Sequence, residues 1–124
     1  MTAGTLADHG MAVMLARGEL ALDADVRSDT APLADLVEVL LAAAPATRWL
    51  RDPTRGGLAT VTNELAVDAG VAVVLDEAAL PVRPTVAAAC DLLGIDPLHV
   101  ANEGKLVAIV APDEADAALA AVRS

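Results

Sequence analysis

The chain has 124 residues, room for one domain at ~100–200 residues per domain, and its 56% apolar content excludes an intrinsically disordered chain. Of the apolar residues 29 are Ala and one, Trp49, is aromatic, so 18 Leu and 15 Val packed against Ala leave little volume for a deep enclosed pocket. Eighteen acidic residues against eight basic ones give a formal charge of −10, with Lys105 the single lysine, which excludes the clustered cations that nucleic acid or an anionic membrane surface requires.

No apolar run approaches the ~18–20 residues of a membrane-spanning helix. The lone Cys90 cannot form an internal disulfide, and the first residues carry neither a basic region nor a long apolar run. Both features point to a cytoplasmic protein.

In chain order, a first helix is expected over Gly10–Arg17, capped by Asp8 and stopped near Gly18. Leu20–Thr30 is polar and turn-like. Pro32 then stands where a first-turn proline belongs, behind a capping Asp29 or Thr30. Leu33, Leu36, Val37, Leu40 and Leu41 recur at helical spacing, and Pro45 ends that amphipathic helix. Thr47–Arg51 reads as a short strand. A helix with Leu58, Val61 and Leu65 on one face follows and stops at Gly70.

Val71–Asp76, β-branched and almost wholly apolar, has the pattern of a strand buried on both faces. Thr85–Leu93 is a helix with Val86, Cys90 and Leu93 on one side, ended by Gly94. Asp96–Gly104 reads as a loop, Lys105–Ala111 as a strand and Asp113–Arg123 as a last helix. Strands alternating with helices indicate an α/β (α+β) layered sandwich with a ferredoxin-like flavour.

The loop Arg51-Asp-Pro-Thr-Arg-Gly-Gly57 is the first chemical candidate. Pro53 restricts it, Gly56 and Gly57 permit close backbone approach, and a helix N-terminus with free N–H groups can hold a phosphate. Arg51 and Arg55 add guanidinium donors and Thr54 a hydroxyl. The alternative is a plain strand-to-helix turn in which Arg51 pairs with Asp52.

The second candidate is Val100-Ala-Asn-Glu-Gly-Lys-Leu106, where Glu103, between Asn102 and Gly104, is placed to act as a general base with Lys105 nearby. A turn bearing a solvated Glu–Lys pair is the alternative. Asp8-His9 reads as a capping Asp beside a surface His. His99 reads as packed or at the core edge, and Cys90 as core filler. Two His and one Cys without a cluster argue against zinc. The nucleophile-elbow, P-loop and dinucleotide glycine motifs are absent.

Several strings in register, Arg51–Ala59, Asn63-Glu-Leu-Ala66 and Leu92–Leu106, together with Asp8-His-Gly10 and Ser28–Leu33, resemble the HypE hydrogenase-maturation family of the PurM-like (AIR synthase-related) superfamily. The resemblance spans essentially the whole chain. It implies an ATP- and Mg2+-dependent dehydration of a cysteine S-carboxamide to a thiocyanate, the source of the iron cyanide ligand in nickel–iron hydrogenases.

On that resemblance Glu103 is the base, and Arg51, Asp52, Thr54, Arg55, Gly56, Gly57, Asn102 and Lys105 contact phosphate or substrate. Asp8 and His9 make interdomain or site contacts. Partners implied are a HypF-type carbamoyltransferase, a HypC–HypD-type complex and a second copy in a homodimer.

Residues 1–30 would be a junction, and 31–124 the C-terminal domain short of its last strands. The family's ATP- and Mg-binding domain and its C-terminal cysteine are not matched, so the chain alone is expected to bind neither cofactor nor to turn over. Ala7 stands where the family usually has Gly, and Gly18-Glu19 is inverted. Other readings are a non-catalytic interaction module, or a fragment of a selenophosphate synthetase or thiamine-phosphate kinase relative.

Overall fold

A computed structural model describes residues 4–17 and 32–124. Its elements are α1 (Asp8–Ala16), α2 (Ala34–Ala43), β1 (Trp49–Arg51), α3 (Gly57–Ala69), α4 (Pro84–Leu93), β2 (Val107–Ile109) and α5 (Ala115–Arg123). Single 3-10 turns lie at Glu77–Ala79, Pro97–His99 and Pro112–Glu114. The expected stop at Gly18, the stretch Leu20–Thr30 with its caps Asp29 and Thr30, and Ser28–Ala31 lie outside the described residues.

β1 and β2 run antiparallel, with Trp49 opposite Ile109, Leu50 opposite Ala108 and Arg51 opposite Val107. Side chains on a strand alternate between faces, and the two faces meet different helices. Leu50 and Ala108 join Leu40, Ala44, Leu106 and Ala118 under α2 and α5. Trp49 and Val107 turn the other way, to Leu6, Leu58 and Val61 beneath α3. Helices on both faces of a small sheet make the layered α/β arrangement that the alternating pattern implied.

A further cluster, Ala7, Met11, Val86, Ala89, Cys90 and Val100, fuses α1 to α4. Cys90 is core filler, as its position on the apolar face of the helix implied. Burial, with the charges of Asp91 and Asp96, pushes its thiol above the usual range.

Local chemistry accounts for most boundaries. Pro84 occupies the first turn of α4, where its missing N–H costs nothing. Gly70 and Gly94 close α3 and α4 in the left-handed conformation. The apolar stripe of α2 places Leu40 fully inside, with Leu33, Leu36 and Val37 against the same cluster, while Leu41 faces outward.

Four expectations are corrected. Val71–Asp76 is not a strand, and Val74 is 92% exposed. Its β-branched composition supplies propensity, but a strand also needs a hydrogen-bonded partner. Among the described residues no strand pairs with the segment. It stands off the sheet across a groove of about 730 Å³ that Trp49, Leu65, Val73 and Ile109 help to line.

Helix α1 begins at Asp8 rather than Gly10, and its N-cap is Ala7, so Asp8 does not cap it. The carboxylate is drawn instead into buried polar contacts described below. Pro32 precedes the N-cap of α2, Leu33, instead of entering the first turn. Finally, His99 is not packed. Its side chain is 64% exposed and lies 3.7 Å from Asp96, because the turn Pro97–His99 points it away from the core that Val100 enters.

Candidate functional site

The loop after β1 is tied down at several points. Pro53 is buried, and its carbonyl accepts the Asn102 N–H at 3.0 Å. The Thr54 carbonyl accepts the Gly57 N–H at 3.3 Å, closing the turn that launches α3. Gly57 has φ +63°, and a Cβ there would overlap the carbonyls of Leu98 and Val100. Its missing side chain thus lets α3 abut the turn Pro97–His99. Arg51 pairs with Glu64 of α3 at 3.2 Å, not with Asp52. Asp52 and Arg55 are exposed, while Thr54 and Gly56 are half-buried.

The second loop is held more deeply. Asn102 is fully buried, and each of its polar groups is used. The side-chain Oδ1 accepts the Ala7 N–H at 2.7 Å, and Nδ2 donates to the Val100 carbonyl at 3.0 Å. One residue earlier, the Ala101 carbonyl accepts the Gly10 N–H at 3.1 Å. Glu103 follows, half-buried.

Lys105 is fully buried, so the loop does not present a solvated Glu–Lys pair. Its Nζ donates to the Thr5 carbonyl. Burial pushes the ammonium below the ordinary lysine value, and the nearby Asp8 charge partly opposes that push.

Asp8 is fully buried as well. Its Oδ2 accepts the Thr5 hydroxyl and lies 3.5 Å from Nε of Arg83. Its Oδ1 is buried with no hydrogen-bond partner among the described residues. His9, the next residue, is half-buried.

The fold therefore brings the two candidate loops side by side at the Pro53–Asn102 hydrogen bond. Arg55 follows that junction by two residues on one strand of chain and Glu103 by one on the other. Asp8 and Lys105, 97 positions apart in the sequence, meet through Thr5. Sequence reasoning passed over Thr5 and Arg83, whose roles exist only after α1 docks. Ala7 did carry a signal, for it is a non-glycine residue at φ +68° where the resemblance expects Gly.

Among the described residues no three His, Cys, Asp or Glu side chains converge as a metal site needs. No helix among the described residues is long and apolar enough to cross a membrane.

Comparison with known proteins places this geometry. The profile of the AIR synthase related protein, C-terminal domain, matches residues 1–124. The chain belongs to that family. It is 58% identical over 123 residues to the carbamoyl dehydratase HypE of Cupriavidus necator, covering 99% of this chain and 35% of that protein. To the Escherichia coli carbamoyl dehydratase HypE it is 45% identical, covering 100% of this chain and 37% of that one.

Among solved structures, HypE in a HypE–HypF complex superimposes with a TM-score of 0.94 at 48% identity, over 98% of this chain and 40% of that one. HypE in complex with ATP gives 0.92 at 45% identity, over 99% and 37%. The chain spans about a third of the length of the curated relatives it matches.

Proposed function

We propose that this chain supplies the base-bearing lobe of a HypE-type carbamoyl dehydratase, which uses ATP to convert a cysteine S-carboxamide into a thiocyanate. The observation that carries the reading is the Pro53–Asn102 hydrogen bond, which sets a carboxylate loop against an arginine- and glycine-bearing loop. Sequence likeness to HypE proteins over almost the whole chain supports it.

The chemistry asks for two things. An amide oxygen is a poor leaving group until it takes the γ-phosphoryl group of ATP. One N–H proton leaves as that oxygen is phosphorylated; as the C–O bond then breaks and phosphate departs, the nitrogen surrenders its second N–H proton and the C≡N bond forms. Glu103 is the base for that proton. Arg55 and the Thr54–Gly57 turn, with Arg51 at its edge, face the developing phosphate charge, where fixed donors lower a phosphoryl-transfer barrier. Half-buried His9 serves the contact with neighbouring parts of the site.

In this reading the carbamoyl group arrives from a HypF-type partner, as the relative's complex with HypF suggests. The thiocyanate passes to a HypC–HypD-type acceptor. The protein works in the cytoplasm as a homodimer with Mg2+ accompanying ATP. An interaction module without chemistry is the reading it must beat.

The test is a chimera in which this chain replaces the matching third of the Cupriavidus HypE. Carbamoylated and given ATP, it should lose the mass of one water by intact-protein spectrometry. Glu103→Gln should cut that rate by at least ~100-fold, the lower end of the ~10²–10⁴-fold that a general base contributes. A Glu103→Gln chimera as fast as the parent would remove the base from this chain.

A further inference from the structure

Glu103 is flanked by two polar side chains that are fully buried, Asn102 before it and Lys105 two residues after it. Burying an amide and an ammonium costs free energy unless each is matched by a partner, so their placement has to serve something. Both reach to the same short segment. Asn102 takes the Ala7 N–H, and Lys105 donates to the Thr5 carbonyl. Thr5 in turn donates its hydroxyl to buried Asp8, which faces Arg83 ahead of α4.

Ala7 is held at φ +68° between these ties, a conformation that L-residues with a Cβ rarely adopt. A turn strained in this way persists because its surroundings over-determine it.

We infer that Asn102 and Lys105 are positioning residues, a two-point clamp that fixes the Glu103 loop to the Thr5–Asp8 turn and so sets the carboxylate against the Arg51–Gly57 loop. Neither touches substrate in this assignment. Asp8 is the counter-charge that lets a lysine be buried at this place, and the Pro53 carbonyl on the Asn102 N–H passes the constraint to the second loop. The functional half of the inference rests on Glu103 being the base; the structural half does not.

Amide hydrogen exchange on the 15N-labelled 124-residue chain reads the structural half. In Lys105→Met, protection at the Ala7, Gly10 and Asn102 amides should fall at least ~tenfold while α2 and α5 keep theirs, the pattern of a local opening. Lys105→Arg, which keeps a cationic donor, should restore most of it. Unchanged protection at those three amides in Lys105→Met would overturn the clamp.

Should Lys105→Met unfold throughout, the parent chain decides. A slowly exchanging Lys105 ammonium signal with a trans-hydrogen-bond coupling to the Thr5 carbonyl supports the clamp, and one exchanging as fast as free lysine refutes it.

In the HypE chimera, Lys105→Met should lower kcat for water loss at least ~tenfold with KM for ATP within about twofold, a loss confined to the transition state. A rise in KM for ATP alone would make Lys105 a nucleotide ligand instead. Glu103→Gln in the same chimera keeps the two ideas apart. Full activity there defeats the base reading and leaves the exchange result standing.

Discussion

Two glycines of one helix separate the reasons a protein keeps that residue. Gly57, at the start of α3, and Gly70, just past its end, both have positive φ, at +63° and +64°. Around Gly70 an added Cβ meets nothing, whereas at Gly57 it meets the carbonyls of Leu98 and Val100. Gly70→Ala should therefore cost only the left-handed conformation, about 1–2 kcal/mol. Gly57→Ala should cost that plus the forced separation of α3 from the turn Pro97–His99, ~2–5 kcal/mol in all, as overpacking adds ~1–3 kcal/mol. Urea unfolding of the two variants checks the difference; equal losses would mean that the contact at Gly57 yields without strain. The string from Asn102 to Lys105 was legible as a chemical candidate because an acid on a loop before a strand stands out. What the sequence could not show is that its neighbours point inward. Asn102 and Lys105 have the polarity of solvent-facing residues, and only the docking of a turn about a hundred positions away makes them interior.

At the scale of elements, helices were legible and one strand was not. The stripe Leu33–Leu41 and the stops at Gly70 and Gly94 are local signals, and the helices lie where those signals put them. The same holds for β1 and β2, each shorter than the stretch expected for it. Val71–Asp76 fails because pairing is a non-local property. Three residues of its Val-Ala-Val-Val-Leu run, the valines, favour strands, but favour becomes structure only against a neighbouring edge. The distinction can be measured. Val74→Thr on an exposed segment should change stability by less than ~0.5 kcal/mol, whereas Leu40→Ala, beneath α5, should lose ~2–5 kcal/mol. Chemical denaturation of both variants decides. A loss above ~1.5 kcal/mol for Val74→Thr would indicate that this segment is buried in solution, with the groove beside Trp49 and Ile109 filled.

For the molecule as a whole, charge is the quantity that no single element controls. Eighteen acidic side chains against eight basic ones leave a surplus that ion pairing cannot absorb. Arg51 is paired with Glu64 and Arg83 with Asp8. The remaining carboxylates repel one another across a small domain, and self-repulsion disfavours the compact state. Against that background the loop before α3 presents exposed Asp52 and Arg55 close together in sequence, with Arg51 paired to Glu64. Exposed pairs such as Arg51–Glu64 contribute only ~0–1 kcal/mol. Raising NaCl from ~0.01 M to ~0.15 M shortens the Debye length from ~30 Å to ~8 Å. Repulsion should weaken more than the short-range pairs do. The expected result is a Tm that climbs by a few degrees, since ~1 kcal/mol moves Tm by roughly 3–6 °C at this size. Differential scanning calorimetry at neutral pH measures it. A Tm that falls with salt would put the ion pairs, rather than the acidic surplus, in control of the molecule's electrostatics.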